Sequence, residues 1–399
     1  MEAVLAASRP TILQIIPELE TGGAELSTVE IAGAISDAGG RAIVLSEGGR
    51  LAPKIAACGG EFVPFPAATK NPARLIWNAR AIAKLIEREN IDLVHARSRA
   101  PAWSALWAAR RTGRPFVTTY HGAYNENGRL KNAYNSVMAR GDIVIANSQY
   151  TAGLISQRYG TPPSRVRVIY RGVDGSQFDP ERFSDVQLAQ LRKAWNISVD
   201  QKVVLQAARL TAWKGHGVVI KAAKLLRDSG RLGDAVFVLA GDTQGREGYL
   251  QQLKSEISDA NLSAHFRLPG HVENMPLAFR LAQVAVVASI EPEAFGRTAT
   301  EAQVMGCPVI ATRLGAPPET VRAAPEVAEG ERTGWLVPPG DPAALATSLS
   351  EALSFAASDR QFLGARARRH VLAAFTLDAM RQQTLAVYDL LLNSKLAGR

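Results

Sequence analysis

Twice along the 399 residues, short apolar runs rich in β-branched residues alternate with longer segments whose apolar positions recur at helical spacing. That alternation confines the chain to parallel sheets covered by helices on both faces. In the first series the strand-like runs fall near Ile12 to Ile16, Ala42 to Leu45, Ile91 to His95, Phe116 to Thr119, Ile143 to Ala146 and Val166 to Ile169. Pro72 to Glu89 illustrates the intervening helices: Leu75, Ile76, Ala79, Ile82, Ala83 and Ile86 form an apolar stripe, while Arg80, Lys84, Glu87 and Arg88 take the wet face. The pattern pauses from Gly172 to Ser198, where Asp, Pro, Ser and Gly cluster before a short amphipathic piece. It resumes with runs near Val203 to Ala207, Val236 to Ala240, Phe266 to Leu268, Val284 to Ala288, Val309 to Ala311 and Trp335 to Val337, and ends in three helical stretches, Asp341 to Phe355, Asp359 to Phe375 and Thr376 to Leu396. The expected architecture is α/β, with two doubly wound, Rossmann-like domains facing across a cleft. They cover residues 1–172 and 201–375, joined by a connection over 173–200, with a last helix over 376–399 packing back toward the first. Open sheets of this kind bind ligands outside the carboxyl ends of their strands.

Composition narrows the class further. Hydrophobic residues at 47% and charged residues at 21% exclude disordered, collagenous and coiled-coil chains. No apolar run approaches the ~18 residues of a membrane span. Glu2, with no basic residue before Arg9, is the reverse of a secretory signal, so a cytoplasmic protein is expected. Cys58 and Cys307 are too few for a disulfide framework or a zinc site. Lys and Arg number 46 against 37 Asp and Glu, and the excess is local: Arg97 to Arg140 holds eight basic residues against the single acid Glu126. Such a stretch suits an anionic membrane surface or phosphate-bearing substrates. The bland counterpart is that 35 of the 46 basic residues are Arg, a habit that would decorate any surface.

The strongest constellation is Glu291 to Glu301, EPEAFGRTATE, directly after an apolar strand. Glu293 falls in the loop, Gly296 permits a sharp turn, and Glu301 lies one turn inside the following helix. Free amides at such a junction suit phosphates or hydroxyls, whereas two carboxylates there suit sugar hydroxyls, so the ligand carries both phosphate and polyol groups. A helix start that merely attracts acids is the structural counterpart. RLTAWKGHG, from Arg209 to Gly217, again links strand to helix and can bring Arg209 and Lys214 onto one anion, as a departing diphosphate requires; incidental charges on a solvated loop would look the same. Gly22-Gly23-Ala24-Glu25 follows the first strand; it is not G-x-G-x-x-G, which argues against a dinucleotide, and it allows close backbone approach or simply a tight turn. His121-Gly122 ends another strand, placing the imidazole at the cleft edge; His95 also ends a strand and is read as structural. Trp103 and Trp107 read as one packed helix face. No Asp-x-Asp occurs, so a metal clamped between paired aspartates has no evident ligands.

Taken together, Glu293 to Glu301, Arg209 with Lys214, Gly22-Gly23-Ala24-Glu25, His121-Gly122, Ala146-Asn147-Ser148 and Ile169 to Asp174 resemble, in order and over roughly residues 10–395, the retaining GT-B fold glycosyltransferases of family four. The resemblance implies a nucleotide-sugar donor held mostly by the second domain and a saccharide or lipid-linked acceptor held mostly by the first; the basic stretch Arg97 to Arg140 suggests that the acceptor is lipid-linked or lipopolysaccharide, in bacterial cell-envelope polysaccharide or lipopolysaccharide synthesis at the inner face of the cytoplasmic membrane. It implies that Arg209 and Lys214 bind the donor diphosphate, Glu301 the ribose, and Glu293 the transferred sugar. The amides of Phe295 and Gly296 would complete the cradle with Ala294 also lining the donor site, His271 and Val272 would lie by the base, His121 beside the sugar, and Gly22 and Gly23 near the phosphates and acceptor. It also implies that the departing phosphate oxygen takes the acceptor's proton, with no cofactor and no metal. Two positions depart from the family pattern: Ala294 stands where Gly is usual, and Arg171 where Asn is common. Two other readings compete: an epimerase or hydrolase of nucleotide sugars on the same fold, and a non-catalytic nucleic-acid binder using the basic face, for which no motif is present.

Overall fold

A computed structural model describes residues 9–20, 22–122, 124 and 128–397. Glu2 and Glu126 lie outside the described residues. The chain divides into two compact units, one of residues 1–172 with 377–399, the other of residues 173–376.

The first unit is built on β1 (Thr11–Ile15), β2 (Arg41–Ser46), β3 (Glu61–Pro64), β4 (Leu93–Ala96), β5 (Phe116–Tyr120), β6 (Ile143–Ala146) and β7 (Val166–Val168), all parallel, in the order β3-β2-β1-β4-β5-β6-β7. The second contains β8 (Lys202–Ala207), β9 (Ala235–Ala240), β10 (Phe266–Gly270), β11 (Val284–Val287), β12 (Val309–Thr312) and β13 (Gly334–Val337), also parallel, in the order β10-β9-β8-β11-β12-β13. Strand order therefore reverses between β1 and β4 in one sheet and between β8 and β11 in the other.

Central strands are buried on both faces, which explains their unbroken apolar character. Successive residues feed opposite cores: Leu13 and Ile15 pack with helix 72–88, while Ile12 and Ile16 pack with helix 23–37. In the second unit Val204 and Leu205 divide in the same manner. Helix Pro72–Arg88 begins where Asn71 accepts hydrogen bonds from the amides of Ala73 (3.0 Å) and Arg74 (3.3 Å). Its stripe differs from expectation at one position: Ile76 is 50% exposed, and Asn78 is buried instead, donating to the Pro66 carbonyl at 2.8 Å.

Two other expectations are revised. The short amphipathic piece expected within 173–200 is helix Asp185–Ala194, but the stretch is not a connection between units: it belongs to the second unit, where Trp195 and Ile197 are buried in the core. The missed strand, β3, pairs only with β2 and is half exposed, so Glu61-Phe62-Val63-Pro64 carries no continuous apolar run to betray it.

The final helix, Leu377–Ala397, contributes Met380, Val387, Tyr388 and Leu392 to the core of the first unit. There the Tyr388 hydroxyl lies 2.7 Å from His95 Nδ1, and Thr119 Oγ1 lies 2.7 Å from Nε2. Burial, reinforced by Arg97 and Arg171, holds the His95 pKa well below the usual histidine value. His95 is therefore a neutral core residue.

Candidate active site

In the second unit the chemistry gathers where strand order reverses. β8 ends at Ala207, and the loop after it turns through a short 3-10 segment, Ala212–Lys214, into helix His216–Asp228. The loop after β11 runs from Ala288 to Gly296 and opens helix Arg297–Val304. Because β8 and β11 are neighbours, these loops meet: the Ile290 amide donates to the Trp213 carbonyl at 2.8 Å.

Gly215 is what lets them approach. Its φ is +74°, and a Cβ built there would fall 1.9 Å from the Ala288 carbonyl oxygen. Gly215→Ala is expected to lower the stability of this unit by at least ~1–2 kcal/mol from the left-handed backbone alone, with the clash adding to it. Thermal unfolding compared with Gly230→Ala, which also has positive φ but open space around it, separates the two contributions.

Across this junction the Lys214 ammonium forms an ion pair with Glu293, 79 residues away along the chain. Both side chains are largely buried, 17% and 10% exposed. Lys214 is held from three sides: its carbonyl accepts from buried Gln206 Nε2 (2.7 Å), its Nζ sits 4.1 Å above the Trp213 ring, and Glu293 takes its charge. Glu293 is fixed at both ends. Its Oε1 also accepts from Ser289 Oγ at 2.6 Å, and its carbonyl accepts from the Ala316 amide at 2.9 Å, in the loop after β12. Gly315 is needed for that last contact, since a Cβ there would lie 2.3 Å from the Glu293 oxygen. Ser289, Gln206 and Gly315 went unread in the sequence, where only the i,i+4 spacing of Ser289 and Glu293 hints at the first.

Gly296 has φ +82° and starts the helix, as the turn required. Ala294 is absent from the described non-glycine residues with positive φ, so its backbone makes no demand for glycine. The Phe295 ring is buried and meets Phe375 edge-on, with centroids 6.0 Å apart. Glu301, one turn into the helix, pairs with Arg297 at 3.3 Å. Arg209 is exposed on the β8 loop and donates to Gln244 Oε1 at 3.2 Å, so it is not joined to the Lys214–Glu293 pair. His271 is exposed just past β10, while the Val272 side chain packs on the apolar core.

The remaining candidates belong to the first unit. Gly22 caps helix Gly23–Asp37 with φ −81°, and its amide donates to Glu25 Oε2 at 2.7 Å, a capping arrangement that uses Glu25 structurally. His121 ends β5; its Nδ1 accepts a hydrogen bond from Arg171 Nη2. Burial, followed by Arg171, Arg97 and His95, keeps its pKa well below the ordinary value, so the ring is neutral. Gly122 lies beside Tyr124. Trp103 donates its Nε1–H to the Tyr134 carbonyl at 3.0 Å and lies 5.8 Å from the Trp107 ring, which is itself 42% exposed.

Comparison with known proteins agrees with this picture. The family model described as Glycosyltransferase Family 4 matches residues 21–177, and that described as Glycosyl transferases group 1 matches residues 189–370. A glycosyltransferase from Rickettsia africae has a crystal structure that superposes with TM-score 0.87 at 32% identity, covering 96% of this chain and 99% of that one. HepE from Anabaena, crystallised with UDP and glucose, shares the fold with TM-score 0.81 at 23% identity, covering 95% and 99%. A Salinispora tropica protein named D-inositol 3-phosphate glycosyltransferase is 30% identical over 74% of this chain, and the match spans 63% of that relative's own length. The two parallel-sheet units are those of the GT-B fold, and the protein is a glycosyltransferase. The chain belongs to glycosyltransferase family 4.

Proposed function

We propose that the protein moves a sugar from a nucleotide-sugar donor to a saccharide or lipid-linked acceptor with retention of anomeric configuration, in cell-envelope polysaccharide or lipopolysaccharide synthesis. The observation that carries this reading is the buried Lys214–Glu293 pair at the β8/β11 reversal. A cation there can take up the charge that develops on a departing diphosphate, and preorganised charge of this kind acts most strongly where water is excluded. Lys214 and Ser289 both reach Oε1 of Glu293, leaving Oε2 to accept hydrogen bonds from the hydroxyls of the transferred sugar. UDP and glucose bound to HepE support a diphosphate-linked donor.

On this reading Arg209 swings from Gln244 to share the diphosphate, and Glu301 with the amides of Ala294, Phe295 and Gly296 holds the ribose and phosphates. His271 and Val272 border the base, His121 lies beside the transferred sugar, and Gly22 and Gly23 lie near the phosphates. The bond from the anomeric carbon to the phosphate oxygen breaks as the acceptor oxygen bonds on the same face, and the acceptor's proton passes to that phosphate oxygen. Lys214 and Arg209 supply the positive charge, and no metal is invoked.

A thermal-shift panel of nucleoside diphosphates and nucleotide sugars tests the proposal. The correct ligand at 100 times its Kd stabilises the fold by ~2.7 kcal/mol. A panel in which no nucleoside diphosphate stabilises the protein contradicts the reading, and release of free or isomerised sugar without any acceptor points to a hydrolase or epimerase.

The acceptor side includes contact with an anionic membrane at its cytoplasmic face. No described helix is long and apolar enough to cross a membrane. The first unit instead exposes Trp107 (42%) and Leu130 (89%) within the basic 97–140 stretch, a mixture that suits an interface of headgroups and chains. Co-sedimentation with anionic vesicles is expected to fall as salt rises, each basic side chain contributing about 1 kcal/mol near the surface. Equal binding to neutral vesicles, or binding indifferent to salt, counts against it.

A further inference from the structure

At the amino ends of β6 and β7, on the edge of the first unit's sheet opposite to the strand ends where the reaction is placed, the chain leaves a cavity of about 560 Å³. Three connections build it. Arg110 stands in the last turn of helix Arg99–Arg111, before β5; Arg140 and Asp142 directly precede β6; and helix Gln149–Tyr159 ends at Gly160, φ +61°, from which the chain turns through Thr161 and Arg165 into β7. All of them belong to the first unit. His121 follows the far end of β5, and five residues of strand span about 16 Å, so a ligand held here is remote from that side chain.

The lining carries Arg110, Arg140 and Arg165 against the single acid Asp142. That acid is already committed. Its Oδ1 accepts from Arg110 Nη2 at 2.7 Å, and its Oδ2 accepts from the Phe116 amide at 2.8 Å. Arg165 is half-buried and anchored through Nη2 to the carbonyls of Ala139 (3.4 Å) and Gly141, which fix the guanidinium without neutralising it. Arg140 is exposed, with its guanidinium carbon 5.0 Å above the Trp103 ring, a contact that positions the cation and also leaves its charge intact. Neither Arg140 nor Arg165 has a carboxylate partner among the described ion pairs. Two uncompensated guanidinium groups on the wall of one concavity focus a positive field into it. The planar N–H edges of arginine match the oxygens of a phosphate, and buried Thr161 adds a hydroxyl to the same wall. The volume lies within the roughly 300–1,000 Å³ of small-molecule sites, so it has room for an organic body beyond the phosphate itself.

We infer that this cavity is a second binding site, separate from the active site, for the phosphate group of a phosphate monoester, held by Arg140 and Arg165 with Arg110 beside them. That group can arrive on a soluble ester or on a lipid headgroup, and the test separates the two. The full chain is labelled with 15N-tryptophan, which gives six indole signals; that of Trp103, beneath Arg140, is assigned by its loss in Trp103→Phe. Inorganic phosphate is expected to shift the Trp103 indole signal saturably, whereas sodium chloride of equal ionic strength does not. Isothermal titration gives the affinity independently, since Arg140→Gln also removes the contact that reports to Trp103. Affinity should fall about tenfold or more in Arg140→Gln and in Arg165→Gln, the usual consequence of losing a charge-assisted contact. Arg165→Gln could disturb the turn before β7, but Arg140 is exposed, so its variant keeps the test decisive. Arg111→Gln, which removes an equal charge from an exposed position outside the lining, should leave the affinity unchanged, as should Lys214→Ala in the other unit. Vesicles of phosphatidylcholine with phosphatidic acid are compared with phosphatidylcholine alone. A Trp103 shift specific to the acidic vesicles and lost in Arg140→Gln assigns the phosphate to a lipid; a response to free phosphate with none to vesicles assigns it to a soluble ester. No saturable response to phosphate, an unchanged affinity in Arg140→Gln, or an equal loss in Arg111→Gln overturns the site.

Discussion

Lys214→Ala should weaken nucleoside diphosphate binding by about 10–100-fold and reduce transfer by ~10²–10³-fold, because a cation bonded to a developing phosphate charge is worth ~1.5–3 kcal/mol in binding and more in the transition state. The expectation follows from the surroundings of the side chain. Nζ is held above Trp213 and against Glu293 in a largely buried site, whereas Arg209 is exposed and turned to Gln244. The substitution also strands the Glu293 carboxylate, 10% exposed, beside Ser289 without its counter-ion, and repulsion between that carboxylate and the diphosphate adds to the loss. Isothermal titration with UDP, alongside an activity assay, reads both effects. Equal UDP affinity in wild type and Lys214→Ala would remove the diphosphate from this position.

Glu293→Gln should have the opposite signature. The amide oxygen can still accept from Ser289, and the volume is conserved, so the loop after β11 keeps its contacts with Ala316 and Trp213. Lys214 loses its internal partner, which leaves diphosphate binding unchanged or tighter. Transfer falls by ~10²–10³-fold, because an interaction that strengthens as the sugar ring gains positive charge acts on kcat and not on ground-state affinity. Discrimination between sugars should weaken along with it. If Glu293→Gln lowered UDP affinity as much as Lys214→Ala does, the carboxylate would be supporting the lysine and not the sugar.

The strands that position this site were legible because a central parallel strand must be apolar on both faces, and Val203 to Ala207 and Val284 to Ala288 announce themselves that way. β3 was hidden because an edge strand paired on one side needs no such run. Chemistry in the loops after β8 and β11 was expected from their place at strand ends. That Lys214 reaches Glu293, whereas Arg209 turns to Gln244, depends on which strands are neighbours and on side-chain packing, neither of which a linear pattern contains. Gly296 could be read as a turn from its neighbours, but Gly215 and Gly315 are required by backbone from distant loops, Ala288 and Glu293, and a sequence does not say what lies beside a glycine. Arg171 was uninterpretable until the Nδ1 of His121, 50 residues away along the chain, was seen to accept its hydrogen bond.

A crystal structure of the protein soaked with a nucleoside diphosphate tests the central claim most directly. The account predicts phosphate density within hydrogen-bond reach of Lys214 Nζ, at the reversal between β8 and β11, with the ribose toward Glu301. Density confined to the first unit, or phosphates held away from Lys214 with the Lys214–Glu293 pair undisturbed, would contradict it.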